Sequence, residues 1–180
     1  MAYKITLKQG NIVQEEADFI VNASNTKLIL GSGVSMAFKR HCGTVLQKEL
    51  DELLEKYQLI EQGAVIVSSS GQASNFKYAL QAAIMNYNSG VKFHQKKPTL
   101  QTIATVLENI EVIILQHSKS FLKIALPLMG CGVGGLKKYE VVSLYKEFFN
   151  KSISKEVEVV IYGYTKTDYE LIKEILKNGK

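Results

Sequence analysis

The stretch "DFIVNASNTKLILGSGVSMAFKRHCG" (Asp18–Gly43) decides the fold class of this chain. Its first part, Asp18–Ser24, is short and nearly all apolar, as expected of a β-strand buried on both faces. A glycine-rich loop follows at 31–33, and Val34–Cys42 then has the pattern of a short helix. This order of strand, small-residue loop and helix is typical of an α/β domain, in which ligands bind at the carboxyl ends of the strands.

The rest of the chain repeats this alternation. The hydrophobic pattern predicts further strands at 3–12, 63–70, 77–86, 121–129 and 156–164. It predicts further helices at 44–57, 99–120, 139–151 and 167–178. Helix N-caps are expected at three threonines, Thr44, Thr99 and Thr167. We therefore predict one domain over residues 1–180, with a mixed, largely parallel sheet covered by helices on both faces.

The bulk composition is that of an ordinary soluble globular protein. Of the 180 residues, 46% are hydrophobic and 22% are charged. The two cysteines, Cys42 and Cys131, make neither a disulfide framework nor a zinc site, so no metal is expected. The apolar runs are short and interrupted by charge, which predicts a cytoplasmic protein with no membrane span.

The charge pattern is more informative than the net charge of +5. Arg40 is the only arginine and the lysines are spread along the chain, which disfavours nucleic acid as the main ligand. Phe19–Lys48 and Val112–Tyr139 contain no acidic residue, and each window holds one glycine loop. A nearby carboxylate would repel a phosphate, whereas glycine loops expose backbone N–H groups that bind one. The windows therefore predict a site for a diphosphate.

Neither loop matches the well-known phosphate-binding patterns. "GSGVSM" lacks the third glycine of a dinucleotide-binding loop, and "GCGVGG" is not followed by the Gly-Lys-Ser/Thr of a P-loop. A glycine that follows a strand is also common in simple tight turns, and this structural alternative stays open.

Two motifs in order resemble the macrodomain family. "QGNI" (Gln9–Ile12), followed by the strand, loop and helix of Asp18–Gly43, resembles its opening signature of Gly-Asp-Ile, Val-Asn-Ala-Ala-Asn and Gly-Gly-Gly-Val. "LPLMGCGVGG" (Leu126–Gly135) resembles the second loop of the family. The resemblance implies a three-layer α/β/α sandwich that binds ADP-ribose in a cleft, with no cofactor. Some members only bind ADP-ribose, and others hydrolyse its derivatives.

The resemblance also assigns residues to the two ends of such a ligand. Asn11 and Ile12 match Gly-Asp-Ile, whose aspartate accepts a hydrogen bond from adenine. The Asn11 carbonyl can still accept that bond but carries no charge, so weaker discrimination of adenine is expected. Tyr162 matches an aromatic residue that packs on adenine. Asn22 is expected to pin the first loop, and Asn25 to contact the distal ribose and support catalysis.

The two glycine loops supply the other expected ligand contacts. The first loop contributes Gly31, Ser32, Gly33, Val34 and Ser35. The second contributes Gly130, Cys131, Gly132, Val133, Gly134 and Gly135. Ser35 stands where strong hydrolases of the family carry an aspartate, and Gly134 where many members carry Tyr or Phe.

The expected function is hydrolysis of a substituent on the distal ribose of ADP-ribose. The substrates implied are ADP-ribose-1''-phosphate, O-acetyl-ADP-ribose or mono-ADP-ribosylated protein, which would then be a partner. Because no catalytic carboxylate is evident, we expect water held by Asn25 to attack with help from a substrate phosphate. The alternatives are a non-catalytic ADP-ribose reader and, less favoured, a nucleic-acid-binding module.

Two further residues beside the loops have alternative interpretations. His41 is a candidate proton shuttle, although a histidine at a helix C-terminus more often interacts with the helix dipole. Cys131 is a candidate nucleophile, but no histidine partner is evident in the sequence, so a packing role is favoured.

Overall fold

The computed structural model describes residues 1–177, which form six strands and five α-helices. The strands are β1 (Tyr3–Gln9), β2 (Ala17–Asn25), β3 (Val65–Ser69), β4 (Phe76–Met85), β5 (Phe121–Leu126) and β6 (Glu156–Gly163). The helices are α1 (Gly33–Cys42), α2 (Thr44–Tyr57), α3 (Leu100–Gln116), α4 (Lys138–Phe148) and α5 (Lys166–Lys177). Short 3₁₀ turns occupy Ile12–Gln14 and Phe93–Gln95.

All six strands lie in one sheet, in the order β1-β6-β5-β2-β4-β3. Strands β1, β6, β5, β2 and β4 are mutually parallel, and the edge strand β3 pairs with β4 in the antiparallel sense. The predicted mixed, largely parallel sheet is therefore confirmed. Parallel pairing brings the carboxyl ends of β1, β6, β5 and β2 to the same edge, and both glycine loops follow strands that end there.

Helices cover both faces of the sheet, so the expected three-layer, macrodomain-like α/β/α sandwich is confirmed. Alternate strand residues point to opposite faces: Phe19 and Val21 pack beneath α3, α4 and α5, whereas Ile20 packs beneath α1 and α2. Each face has its own buried core, which explains why β2 is almost entirely apolar.

The α3 segment needs separate mention because of its hydropathy. Together with the preceding turn, Phe93–Gln116 is long and apolar enough to cross a membrane by length and composition. In the structure, however, five apolar residues of α3 are buried against the sheet: Ile103, Val106, Leu107, Ile110 and Ile114. This burial accounts for its composition as that of a core helix.

The predicted caps of the second and third helices had different outcomes. Thr99 caps α3 as predicted, because its hydroxyl accepts a hydrogen bond from the Thr102 N–H at 3.2 Å. Thr44 is not a cap. It is the first residue of α2, and Gly43 holds the N-cap position with a φ of 74°. A glycine is needed there because only it adopts this backbone without strain.

The predicted cap of the last helix was wrong by two residues. The Thr165 hydroxyl accepts a hydrogen bond from the Asp168 N–H at 3.1 Å, and the Thr165 N–H donates to the Asp168 carboxylate at 3.3 Å. This reciprocal pair is a capping box that starts α5 before Thr167. The predicted end of this helix, Asn178, lies outside the described residues.

Several predicted elements end earlier in the structure than in the sequence pattern. The strands predicted at 3–12, 63–70 and 121–129 have the shorter bounds given above, and β5 stops at Leu126 because Pro127 has no N–H to continue the ladder. Helix α3 ends at Gln116 rather than Ser120. The Lys119 N–H that follows bonds to the His117 ring at 3.2 Å.

The two threonines near the start of α5 give a direct test of its cap. Thr165→Ala should lower the free energy of unfolding by about 1 kcal/mol, because the Asp168 N–H loses its acceptor. For a chain of this size the melting temperature should fall by about 2–4 °C. Thr167→Ala is the matched control and should shift it far less. Equal shifts in thermal unfolding would contradict the assignment.

Candidate ligand-binding cleft

A cleft of about 570 Å³ opens at the edge where the carboxyl ends of the parallel strands meet. Four parts of the chain line it: the end of β1 with its 3₁₀ turn, helix α1, the second glycine loop with α4, and the segment after β6. The lining residues used below are Asn11, Ile12, Gly33, Val34, Arg40, His41, Cys131, Gly132, Lys138, Tyr162, Tyr164 and Asp168.

One end of the cleft is built where β1 and β6 finish side by side. The Gly10 N–H donates to the Gly163 carbonyl at 3.0 Å, which brings Asn11 next to the two tyrosines that flank Gly163. Tyr162 is largely buried, whereas Tyr164 is 77% exposed. This end therefore offers a fixed aromatic wall and a second, free aromatic ring at the rim.

The Tyr162 ring is held from below by a buried carboxylate. Its hydroxyl donates to Glu15 at 2.5 Å, and Lys8 and Lys123 approach the same carboxylate at 2.8 and 2.7 Å. Burial raises the pKa of Glu15, but the bonds from Lys123, Lys8 and Tyr162 outweigh it and keep the pKa below its usual value. Glu15 is thus an ionised anchor rather than a proton donor.

Asn75 fixes both the 3₁₀ turn and the neighbouring histidine. Its amide nitrogen donates to the carbonyls of Val13 and Glu15 at 2.9 and 2.7 Å. Its oxygen must then be the atom that lies 2.7 Å from His41 Nε2, so His41 carries its proton on Nε2. The contact ties the His41 ring to the cleft wall, and its role as a proton shuttle remains a hypothesis.

The first glycine loop reaches the cleft through Gly33 and Val34. Ser35 does not, because its hydroxyl is buried and donates to the Asn22 side-chain oxygen at 3.0 Å and to the Ala23 carbonyl at 3.2 Å. Ser35 was among the expected ligand contacts, but its hydroxyl is not available to a ligand in this structure. Its hydroxyl instead fastens the start of α1 to β2.

Asn22 belongs to a buried chain of side-chain hydrogen bonds. Its amide nitrogen donates to Gln81 at 2.8 Å, and the Gln81 amide donates to the Ser68 hydroxyl at 3.1 Å. Ser35, Asn22, Gln81 and Ser68 thereby connect α1 to β2, β4 and β3, and all four are buried. We call these four residues the polar chain. Asn22 pins the loop by this geometry and does not line the cleft.

Asn25 shapes the backbone of the loop that follows β2. Its side-chain oxygen accepts hydrogen bonds from the Lys27 and Ile29 N–H groups at 3.0 and 3.2 Å, and its nitrogen donates to the Ile29 carbonyl at 2.9 Å. Asn25, Gly31 and Ser32 lie outside the lining of this cleft. The catalytic role of Asn25 stays a prediction.

The second glycine loop contributes Cys131 and Gly132 to the lining, whereas Gly130, Val133, Gly134 and Gly135 lie outside it. Gly134 admits no side chain here, because a Cβ atom would lie 2.5 Å from the Gly130 carbonyl oxygen. Burial raises the pKa of the Cys131 thiol to about 11, which favours the thiol form and argues against a nucleophile.

The cleft is not free of acidic groups, contrary to what the charge windows predicted. Asp168 enters its wall from α5, far from either window in sequence. Lys138 pairs with this carboxylate at 2.5 Å. Burial raises the pKa of Asp168, but the bonds from Lys138 and Thr165 outweigh it and lower the pKa. Because Lys138 neutralises Asp168, Arg40 leaves the lining with a net positive charge.

Sequence reasoning missed the roles of four residues. Arg40 was noted only as the single arginine of the chain, and Tyr164, Asp168 and Gln81 were not predicted to be parts of a site. A usable signal existed for Tyr164, which is the last residue of a predicted strand and therefore belongs to the edge of the sheet where the glycine loops also lie. Within residues 1–177, no group of three His, Cys, Asp or Glu side chains could hold a metal ion.

Fold and cleft together define a three-layer α/β protein with an anion-accepting cleft at the carboxyl edge of its sheet. The Macro domain family model matches residues 21–145. The chain belongs to the Macro domain family, as the sequence motifs predicted.

Relatives and solved structures agree with this assignment. Uncharacterized protein SSO2899 of Saccharolobus solfataricus is 31% identical, over 97% of this chain and 93% of its own. Macro domain-containing protein TTE0995 of Caldanaerobacter subterraneus is 29% identical, over 95% and 94%. The Oceanobacillus iheyensis macrodomain with ADP has a TM-score of 0.79 at 22% identity, covering 95% of this chain and 90% of its own. That likeness establishes the fold.

The polar chain gives a testable consequence for stability. Gln81→Leu should lower the free energy of unfolding by about 2–3 kcal/mol, because the buried Asn22 amide N–H loses its acceptor and the Ser68 hydroxyl loses the N–H that it accepts. Gln62→Leu is the matched control. The Gln62 amide donates to the Ile84 carbonyl at 2.7 Å at a half-buried position, and its loss should cost about 1 kcal/mol. Similar losses in urea unfolding would contradict the importance of the chain.

Proposed function

We propose that this protein binds ADP-ribose in the cleft and hydrolyses a substituent on its distal ribose. The observation that carries the proposal is that both glycine loops, separated by about a hundred residues in sequence, line one cleft with Arg40 and two tyrosines. Aromatic rings suit a base, and backbone N–H groups with a net positive charge suit a diphosphate.

The size of the cleft and the names of solved neighbours support the same ligand. Its volume of about 570 Å³ is in the range of small-molecule sites. The Oceanobacillus iheyensis macrodomain is described with ADP, and a mutant of it with ADPR. These proteins share the fold of this chain, and their ligands are the natural first candidates for it.

For hydrolysis we propose that Asn25 holds the attacking water. Its amide has two N–H groups, and one of them donates to Ile29. The second would hold a water molecule near the distal ribose, and a phosphate of the substrate would orient it or take its proton. Attack on the distal C1'' or on its ester would release the substituent.

A non-catalytic reader is the second candidate, and specific observations favour it. The Ser35 hydroxyl is buried in the polar chain, and both carboxylates near the cleft, Glu15 and Asp168, are held in ion pairs. No carboxylate that is free to act as a general base lines the cleft within the described residues. A reader would bind ADP-ribose without turning over any derivative.

Binding can be tested by calorimetry with ADP-ribose, AMP, NAD and poly(A). We expect ADP-ribose to bind more tightly than AMP, because AMP lacks the second phosphate and the distal ribose that the two loops would contact. No binding of ADP-ribose at high micromolar concentration would refute both the hydrolase and the reader. Tighter, steeply salt-dependent binding of poly(A) would instead support a nucleic-acid module.

Turnover separates the hydrolase from the reader, and Asn25→Ala tests the mechanism. Release of the substituent from ADP-ribose-1''-phosphate, O-acetyl-ADP-ribose and mono-ADP-ribosylated protein should be measured for the wild type. In the variant, turnover should fall by about 10²-fold, the usual cost of one lost donor. Because Asn25 also holds the loop after β2 by three hydrogen bonds, thermal unfolding controls for folding, and affinity for ADP, which lacks the distal ribose, should fall far less than turnover. Unaltered turnover would disprove this role.

A further inference from the structure

The polar groups at the β1–β6 end of the cleft are arranged as donors. Asn11 caps the 3₁₀ turn, and its side-chain oxygen accepts the Val13 N–H at 3.4 Å. The backbone bond fixes which way the amide points, because only the oxygen can accept. Its two remaining N–H groups have no acceptor among the described residues, and Asn11 is an exposed residue of the cleft wall.

A second donor lies beside the first. Ile12 is the first residue of the 3₁₀ turn, so its backbone N–H has no partner inside that turn. The neighbouring N–H groups of the turn are already used, since Gln14 and Glu15 donate to the carbonyls of Asn11 and Ile12 at 3.1 and 3.0 Å. Asn11 and Ile12, which both line the cleft, thus carry neighbouring donors without a partner in the turn.

The carboxylates nearby are already occupied. The Glu15 carboxylate receives bonds from Lys8, Lys123 and Tyr162. The Asp168 carboxylate receives bonds from Lys138 and from the Thr165 N–H. An exocyclic amino group that entered this end of the cleft would therefore find no free carboxylate.

The edges of purine bases differ in their match to such a pair of donors. A 6-oxopurine presents two adjacent acceptors, N7 and O6, whereas adenine presents the acceptor N7 beside the donor N6–H₂. Two donors can therefore bond to both N7 and O6 of a 6-oxopurine. With adenine they can bond only to N7, because N6–H₂ is itself a donor. The Tyr162 ring, fixed by its bond to Glu15, offers the same flat wall to either base.

We propose that Asn11 and the Ile12 N–H make this end of the cleft select a 6-oxopurine base over adenine. The inference rests on the proposed function and refines its ligand class: a nucleoside diphosphate, with or without a distal ribose, whose base carries a carbonyl at position 6. Asn11 is the specificity-determining residue, because an aspartate in its place would present a free oxygen where the amide presents N–H groups.

The test compares ADP, IDP and GDP by calorimetry at one ionic strength. These ligands lack a distal ribose, so hydrolysis at that position does not interfere. IDP should bind the wild-type protein about tenfold more tightly than ADP, the usual discrimination of a matched base edge. GDP has the same N7 and O6 acceptors and should also bind more tightly than ADP.

Asn11→Asp should reverse the preference toward ADP by a similar factor. Aspartate is an equally good N-cap and keeps the acceptor for the Val13 N–H, so the turn should persist. Asn150→Asp, an exposed change away from the cleft, adds the same charge and should leave the ADP-to-IDP ratio unchanged. Thermal unfolding of both variants controls for folding.

Two outcomes would overturn the proposal while leaving the proposed function intact: wild-type protein that binds ADP as tightly as IDP, or an Asn11→Asp ratio equal to that of the wild type. If ADP-ribose does not bind at high micromolar concentration, the proposed function itself fails, and if none of the three diphosphates binds, the base preference fails with it. A preference for IDP that reverses in Asn11→Asp and not in Asn150→Asp would support it.

Discussion

The buried hydrogen-bond chain Ser35–Asn22–Gln81–Ser68 is the constraint on which the cleft depends. Polar groups in a core are costly unless each one finds a partner, so this chain tolerates only one register among β2, β4 and β3. It also ends on α1, where Ser35 bonds to β2 directly after Gly33 and Val34. The position of the first loop is thus set from inside the core rather than by the loop itself.

The same logic governs the charges around the cleft. Glu15 and Asp168 are each buried and each neutralised by lysines, so the structure contains carboxylates without giving the cleft a negative wall. Glu15 has a structural task, since it holds the Tyr162 ring in place. Burying paired charges costs desolvation energy. In return, Glu15 orients the Tyr162 ring, and Asp168 forms the cap at the start of α5.

Much of the fold could be predicted, because hydrophobic periodicity and the strand–loop–helix order are local properties of the sequence. What could not be predicted arises from contacts between distant segments. Asp168 falls outside both acid-free windows and still reaches the cleft, since α5 follows β6 at the same edge of the sheet. The cap at Thr165 was missed for a local reason: Thr165 and Thr167 are both threonines, and the sequence offers each an acidic residue three positions later.

The sequence also does not reveal which way a polar side chain points, and this decides which residues could take part in catalysis. Asn25 ends β2 and Ser35 lies in the first turn of α1, on either side of the first glycine loop, which makes them natural candidates to face a ligand. The Ser35 hydroxyl and the Asn25 side-chain oxygen instead form hydrogen bonds that hold the loop in shape. One N–H of Asn25 is the only group of this pair without an assigned bond, so any catalysis by the loop must rely on that donor and on the substrate itself. A fold that uses its loop side chains for structure leaves the backbone to bind the anion, and a backbone N–H stabilises a phosphate without taking a proton from water.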